Sequence, residues 1–314
     1  MNEFTARDDD FHFAEMGDRW WMTETSWFAF CNPAEKLGGW LYTMARPNIG
    51  TVAGGAWIWD HTAHLPWEVL YNANYTALRL PRDQDLSNIK LPTGVSIKAV
   101  EPTLGYELGI SDGDVCQATL RFQGVMPPRP LRKGGSPFGG ANHFDQFGRV
   151  TGTVKLGERI VAIDCLGMRD RSWGPRPEHR PKKSAYVTGM ATPQEGFLAV
   201  TKWHGDVEGI AYGFMIRDGE TADLVSGTRR VERDPAQGWV TRIVIEGEDE
   251  HGRTLEAIGT RLSGIIINRH SFIDSNGLIE WSINGHVGHG EDQDMWPIHD
   301  WAAMRRAGGA DAAA

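Results

Sequence analysis

Cysteine is scarce in this sequence: Cys31, Cys116 and Cys165 are its only three, and no two stand in a Cys-x-x-Cys spacing. An odd, scattered set excludes a disulfide scaffold and a cysteine-rich zinc site, and predicts a reducing, cytoplasmic setting. Long apolar runs are also lacking. No stretch approaches the roughly 18 residues of a membrane-spanning helix, and the opening MNEFTARDDDFHF carries neither the basic nor the apolar region of a secretion signal. Positive charge is in deficit, with 32 Lys and Arg against 41 Asp and Glu, a formal net charge of −9. So acidic a balance argues against a nucleic-acid binder, which depends on a basic face. Gly38-Gly39 and Gly54-Gly55 neither open a helix nor precede Lys-Ser/Thr, which removes a phosphate loop. Ser26 and Ser172 stand beside tryptophan rather than in Gly-x-Ser-x-Gly, which removes a serine hydrolase. No cofactor and no metal are expected.

Glycine and tryptophan are what the chain has in excess. Glycine supplies 38 of 314 residues, about 12% against an ordinary share of roughly 7%, and there are 13 tryptophans. With 40% hydrophobic and 23% charged residues the chain is globular, and its length suits two domains. Glycine turns recur between apolar runs, at Ser111–Asp114, Leu156–Glu158, Arg217–Glu220, Glu250–Arg253 and Ser275–Gly277. Asp-Gly and Asn-Gly between alternating segments are strong hairpin signals, because positive φ costs glycine nothing there. The segments between them read as strands: 149–156, 159–166, 184–191, 197–204, 209–217, 239–246, 254–267 and 278–287. Only Trp301–Arg306 reads as a short helix, and Ala307–Ala314 as a frayed end. The fold class is therefore all-β.

An internal echo suggests duplication. Glu24-Thr25-Ser26-Trp27 and Asp170-Arg171-Ser172-Trp173 share a pattern at an offset of 146, which also aligns Trp40 with Tyr186, Trp57 with Trp203 and Asp60 with Asp206. A Pro- and Gly-rich stretch over 125–142 marks the break. The expected domains are 1–135 and 136–295, each an antiparallel β unit curled into a barrel or sandwich, followed by a short tail, 296–314.

Arg149–Val154, followed by Asp164-Cys-Leu-Gly-Met-Arg-Asp170-Arg-Ser-Trp173-Gly174-Pro-Arg176, resembles the AttH-like superfamily that includes carotenoid 1,2-hydratase (hydroxyneurosporene synthase), kievitone hydratase and fungal Diels–Alderases. Ser26-Trp27-Phe28-Ala-Phe30 and Leu37-Gly38-Gly39-Trp40 add to the likeness. The resemblance covers about two-thirds of the chain and implies two consecutive lipocalin-like β-barrel domains. It is weaker for reaction, since those relatives do different chemistry, and beyond the Asp-x-x-Trp-Gly segment no catalytic position is carried over.

Hydrating or dehydrating an unactivated alkene needs an acid, a placed water and a wall that tolerates a carbocation. Aromatic faces attract a cation by roughly 0.5–2 kcal/mol each when water is excluded. Burial among indoles also raises a carboxyl pKa and keeps it able to donate. Asp170 is the first candidate acid, walled by Trp173 and, through the repeat register, by Trp203 and Tyr186. The matching Trp27 and Trp57 are candidate substrate contacts. Glu24, the counterpart of Asp170, and His143 are further catalytic candidates, and His204 a binding one. The structural alternatives are an ion-pair network of Asp170 with Arg169, Arg171 and Arg176, a turn histidine at His143 and a solvated turn at His204. For metals, His61 and His64 run into Pro66, and His286 and His289 lack convergent partners, so neither pair makes a site.

The expected function is a cofactor-independent hydratase or dehydratase acting on a bulky hydrophobic isoprenoid or phenolic substrate. Its cavity would be lined by tryptophan and entered by Asp170 or His143 from the domain junction, with 125–142 bordering the mouth. A lipocalin-like carrier of an apolar molecule and a cyclase or carbon–carbon lyase are the alternatives.

Overall fold

The computed structural model of the chain describes residues 4–15, 17–130, 142–176, 182–269 and 272–311. Two compact units emerge, Met1–Trp59 with Val69–Pro177, and Asp60–Glu68 with Glu178–Ala314. Both are built of antiparallel strands, as two lipocalin-like β-barrel units.

In the first unit the strands are β1 Met22–Asn32, β2 Leu37–Arg46, β3 Thr51–Asp60, β4 Tyr71–Arg79, β5 Asn88–Lys90 and β6 Val95–Glu101. β7 Gly105–Asp112, β8 Cys116–Gly124, β9 Arg129–Pro130, β10 Asn142–Leu156 and β11 Arg159–Pro175 complete it. They hydrogen-bond in the order β4-β3-β2-β1-β11-β10-β8-β7-β6-β5, with β9 beside β10. The sheet curls, because strands from both of its ends supply one core: Tyr71 of β4 and Ile89 of β5 join Phe28, Leu41, Phe122 and Ile163. Alternation then assigns the faces. Core-facing side chains are even-numbered in β1 and β10 and odd-numbered in β11.

The strands β1 and β3 are buried along almost their whole length, so they need residues that fit on both faces. Gly55 in β3 shows how tight the fit is. Its φ is +147°, and a Cβ there would fall inside the Ala73 carbonyl oxygen of β4. Replacing Gly55 by alanine is expected to cost at least about 2 kcal/mol, measured by urea denaturation.

In the second unit eight strands close into a barrel in chain order. They are β12 Ser184–Thr192, β13 Glu195–His204, β14 Val207–Arg217, β15 Glu220–Arg233, β16 Val240–Asp249, β17 Thr254–Arg269, β18 Phe272–Ile283 and β19 His286–Pro297. The helix α1, Ile298–Asp311, follows; it contains the expected 301–306 and runs past the residue where fraying was expected. Among the described residues no helix is long and apolar enough to cross a membrane. The Asp218-Gly219 hairpin turns as expected, with φ of 54° and 78°, and Asn284-Gly285 forms a further turn with φ of 48° and 89°. Asn284-Gly285 therefore interrupts the strand expected over 278–287. Ser275-Asn276-Gly277, in contrast, is not a turn but lies inside β18, where Asn276 is fully buried and donates to Glu291 at 3.1 Å.

Two expectations need correction. The division falls at Pro177 rather than at 135, because β10 and β11 pair with β8 and β1 and so belong to the first sheet; residues 131–141 of the expected linker lie outside the described ones. The offset of 146 does not relate the two units either. Trp27 and Trp173 sit on β1 and β11, which are neighbours in one sheet.

Candidate functional site

Three adjacent strands, β10, β11 and β1, place polar side chains in rows on the sheet face opposite the core. Asp145, Asp170 and Trp27 stand opposite one another, and His143, Ser172 and Thr25 form the next row. All six have the outward parity. His143 and Asp145 are two apart on a strand, so they share a face, and His143 Nε2 lies 2.9 Å from Asp145 Oδ1. The Thr25 and Ser172 hydroxyls are 2.8 Å apart, and Arg176 donates to the Ser172 Oγ at 2.6 Å. His143, Asp145, Ser172 and Thr25 are buried, whereas Asp170 is partly exposed.

Burial disfavours a charged His143 ring, but the bonded Asp145 carboxylate and the nearby Asp170 outweigh both burial and Arg176. Its pKa therefore lies above the ordinary histidine value. This is a strand histidine paired with an acid, not a turn histidine held by backbone. His143, Asp145 and Asp170 each bring one ligand atom to within 4.8 Å of the others, so the same three residues could hold a single metal ion.

Indoles adjoin these rows on the same face. Trp27 meets Trp40 of β2 edge-on at 5.3 Å, and Trp40 meets Trp57 and Trp59 of β3 edge-on, each at 6.0 Å. Such pairs contribute about 0.5–1.5 kcal/mol each beyond burial, so the cluster also holds the three strands together. Trp27 and Trp57 were expected here. Asp145 and Trp59 were not proposed as site residues, although each stands two residues from one that was, which on a strand means the same face.

Several expected residues are elsewhere. Glu24 and Trp173 have the inward parity, opposite the face of Asp170. Trp173 stacks on His12 at 4.4 Å and packs with Met22 and Phe144. Glu24 pairs with Arg171 and accepts from the His12 backbone N–H at 2.6 Å. Burial opposes its charge, but Arg171 and the two His12 bonds hold its pKa below the usual carboxylate value. Glu24 is thus a locked anion, unsuited to donating a proton. Tyr186 and Trp203 lie on β12 and β13 of the second barrel, not on the strands flanking Asp170, and His204 is exposed at the end of β13. Arg169 and Arg171 also face inward, where Arg169 pairs with Asp9, so neither forms the expected ion pair with Asp170. Of the histidine pairs, His64 stacks on Trp239 and His289 faces Glu280 at 3.7 Å.

Solved structures share this two-barrel architecture. A candidate AttH from Nitrosomonas europaea shares it at a TM-score of 0.59 and 12% identity, over 91% of this chain and 95% of that one. Kievitone hydratase from Nectria haematococca does so at 0.58 and 9%, over 91% and 92%. CghA, solved with Sch210972, gives 0.56 and 10%, over 88% of both chains. The chain itself belongs to the family described as Domain of unknown function (DUF7064), whose model matches residues 5–297. No curated protein matches the sequence.

Proposed function

We propose that this protein is a cofactor-independent lyase of the hydratase/dehydratase kind, acting on a bulky hydrophobic isoprenoid or phenolic alcohol or alkene. One observation carries the reading. An imidazole whose charged form is favoured and a partly exposed carboxylate stand in adjacent rows of one face, with Trp27 in the Asp170 row. The name of kievitone hydratase, which shares the fold, supports the reaction class.

In dehydration the His143 imidazolium gives its proton to the substrate hydroxyl, which leaves as water. The Asp170 carboxylate and the indole face of Trp27 stabilise the cation left behind. Asp170 then removes a proton from the adjacent carbon to form the alkene, and its proton returns to His143. Hydration is the reverse: protonated Asp170 donates to the alkene carbon and neutral His143 takes a proton from the attacking water. Asp145 keeps the imidazole oriented and its charged form favoured.

The test is to incubate the protein in ¹⁸O-labelled water with prenylated phenols and isoprenoid alkenes and to follow products by mass spectrometry. Incorporation of one labelled water supports the proposal, and recovery of every substrate unchanged counts against it.

The raised His143 pKa gives a pH dependence of defined sign. The ordinary value is about 6.5, so below it the ring is charged whether folded or not and the ion pair contributes its full stability. That stability is lost as pH rises through the raised folded value. Dehydration, which needs the imidazolium, should decline on the same alkaline limb. Asp145→Asn is expected to move the limb to lower pH, read from a rate profile and from the histidine's NMR titration.

A further inference from the structure

The second barrel contains charges that the proposed reaction leaves unused. One part of its interior is apolar, built from Val187, Phe197, Met215, Ile245, Ile279 and Trp281. The other is ionic. Arg229 donates to Glu208 and Asp292 at 2.7–3.1 Å and lies 3.4 Å from Asp294. Arg233 donates to Asp294 at 2.6 Å, and so does the Trp296 indole N–H at 2.8 Å. Arg229 and Arg233 thus engage all three carboxylates.

Two cations are left over. Lys183 Nζ lies 3.6 Å and 3.5 Å from the ring centroids of Trp203 and Trp296, and burial helps push its pKa down to about 8. Arg261 of β17 lies over Trp239 at 5.1 Å, and His64 also stacks on that ring. Its Nη1 reaches the Val240 carbonyl at 3.4 Å, but its Nε and Nη2 are buried without an acceptor among the described residues. Burial presses its pKa down to about 10 despite Asp292, Asp294 and Asp234. Arg233 Nη2 is a third buried donor with no acceptor among the described residues, and Arg233 bonds the Gly238 carbonyl two residues from Val240.

Buried guanidinium N–H groups without an acceptor are costly. Nε and Nη2 lie on one edge of the guanidinium and present parallel N–H bonds, the fork that grips two oxygens of a carboxylate or phosphate. We propose that the ionic part of the second barrel is a receptor for an oxyanion, held by the Nε/Nη2 edge of Arg261 beside Trp239, with Arg233 Nη2 as a further donor. The oxyanion is either the head of an organic acid or free phosphate. None of these residues belongs to the acid–base site, so this inference and the proposed reaction can fail separately.

The full-length protein is titrated at constant ionic strength with potassium phosphate, with sodium benzoate and with benzyl alcohol, the neutral counterpart of benzoate. Calorimetry and tryptophan fluorescence report binding, and melting reports stability. At least one anion is expected to bind at a single site and raise the melting temperature, while benzyl alcohol does neither. Phosphate alone would identify a free oxyanion, and stronger benzoate binding an organic acid head. Arg261→Gln should weaken binding at least about thirtyfold and, with no anion present, melt no lower than the parent. Arg230→Gln, on an exposed pair with Glu246, should bind as the parent does. No binding by either anion, equal binding of benzyl alcohol, undiminished binding by Arg261→Gln, or an anion-free Arg261→Gln protein less stable than the parent would each overturn the proposal.

Discussion

Replacing Asp170 by asparagine is expected to lower the rate of water addition or elimination at least about a hundredfold, the usual cost of losing a general acid or base. The fold should survive. Asparagine keeps the size of the side chain and can still accept a hydrogen bond, and two of the three arginines of the expected network, Arg169 and Arg171, face inward on β11 and pair with Asp9 and Glu24. Asp170 is also partly exposed, so its amide can be hydrated. Substrate affinity should change much less than rate, because the carboxylate contributes little apolar surface. A second consequence is separable: Asp170 helps to raise the His143 pKa, so whatever rate remains should fall off at lower pH than in the parent. His143→Gln should cost a similar factor and abolish that limb altogether. The labelled-water assay gives the rates and circular dichroism confirms the fold. Full activity of Asp170→Asn would remove it from the mechanism, and an unfolded variant would make its role structural.

The all-β class was legible because glycine turns and alternating segments are local signals, and hairpins are local structures. His143 and Asp145 could be reached in the same way, since two residues apart on a strand means one face, and Asp170 through the β10–β11 hairpin that sets it opposite Asp145. Which strands lie side by side was not legible, because β1 and β11 pair across more than a hundred residues and no local pattern encodes that contact. The echo between Glu24–Trp27 and Asp170–Trp173 shows how this misleads. Both segments lie in interior strands of one sheet, so both must fit neighbours on two faces, and the common requirement looks like common descent. The same echo paired Glu24 with Asp170 as like residues. In the fold Glu24 faces in and Asp170 faces out, and only Asp170 stands with His143. Arg229 escaped notice for a related reason, since its partners lie 21 and 63 residues away on other strands.

Removing that guanidinium should have the largest effect on stability. Arg229 is only 2% exposed and holds Glu208 and Asp292 through five hydrogen-bond contacts, with Asp294 also in range. Arg229→Leu would leave Arg233 as the only cation among the described residues hydrogen-bonded to this group of three buried carboxylates. Breaking a buried ion pair from one side costs about 3–5 kcal/mol, because the orphaned charge stays desolvated. Asp292 indicates how the cost should vary with pH. Burial, together with Asp294 and Glu208, already lifts its pKa to about 6 against the pull of Arg229. Without Arg229 the value must rise further, so the folded variant binds more protons than the unfolded chain, whose carboxylates titrate near 4. The variant's stability therefore falls as pH rises. Urea denaturation should show the full loss at pH 7 and above, and a smaller one at about pH 5, where protonation relieves the buried charge. A loss below about 1 kcal/mol at neutral pH would mean that these carboxylates find other donors or water once the arginine is gone.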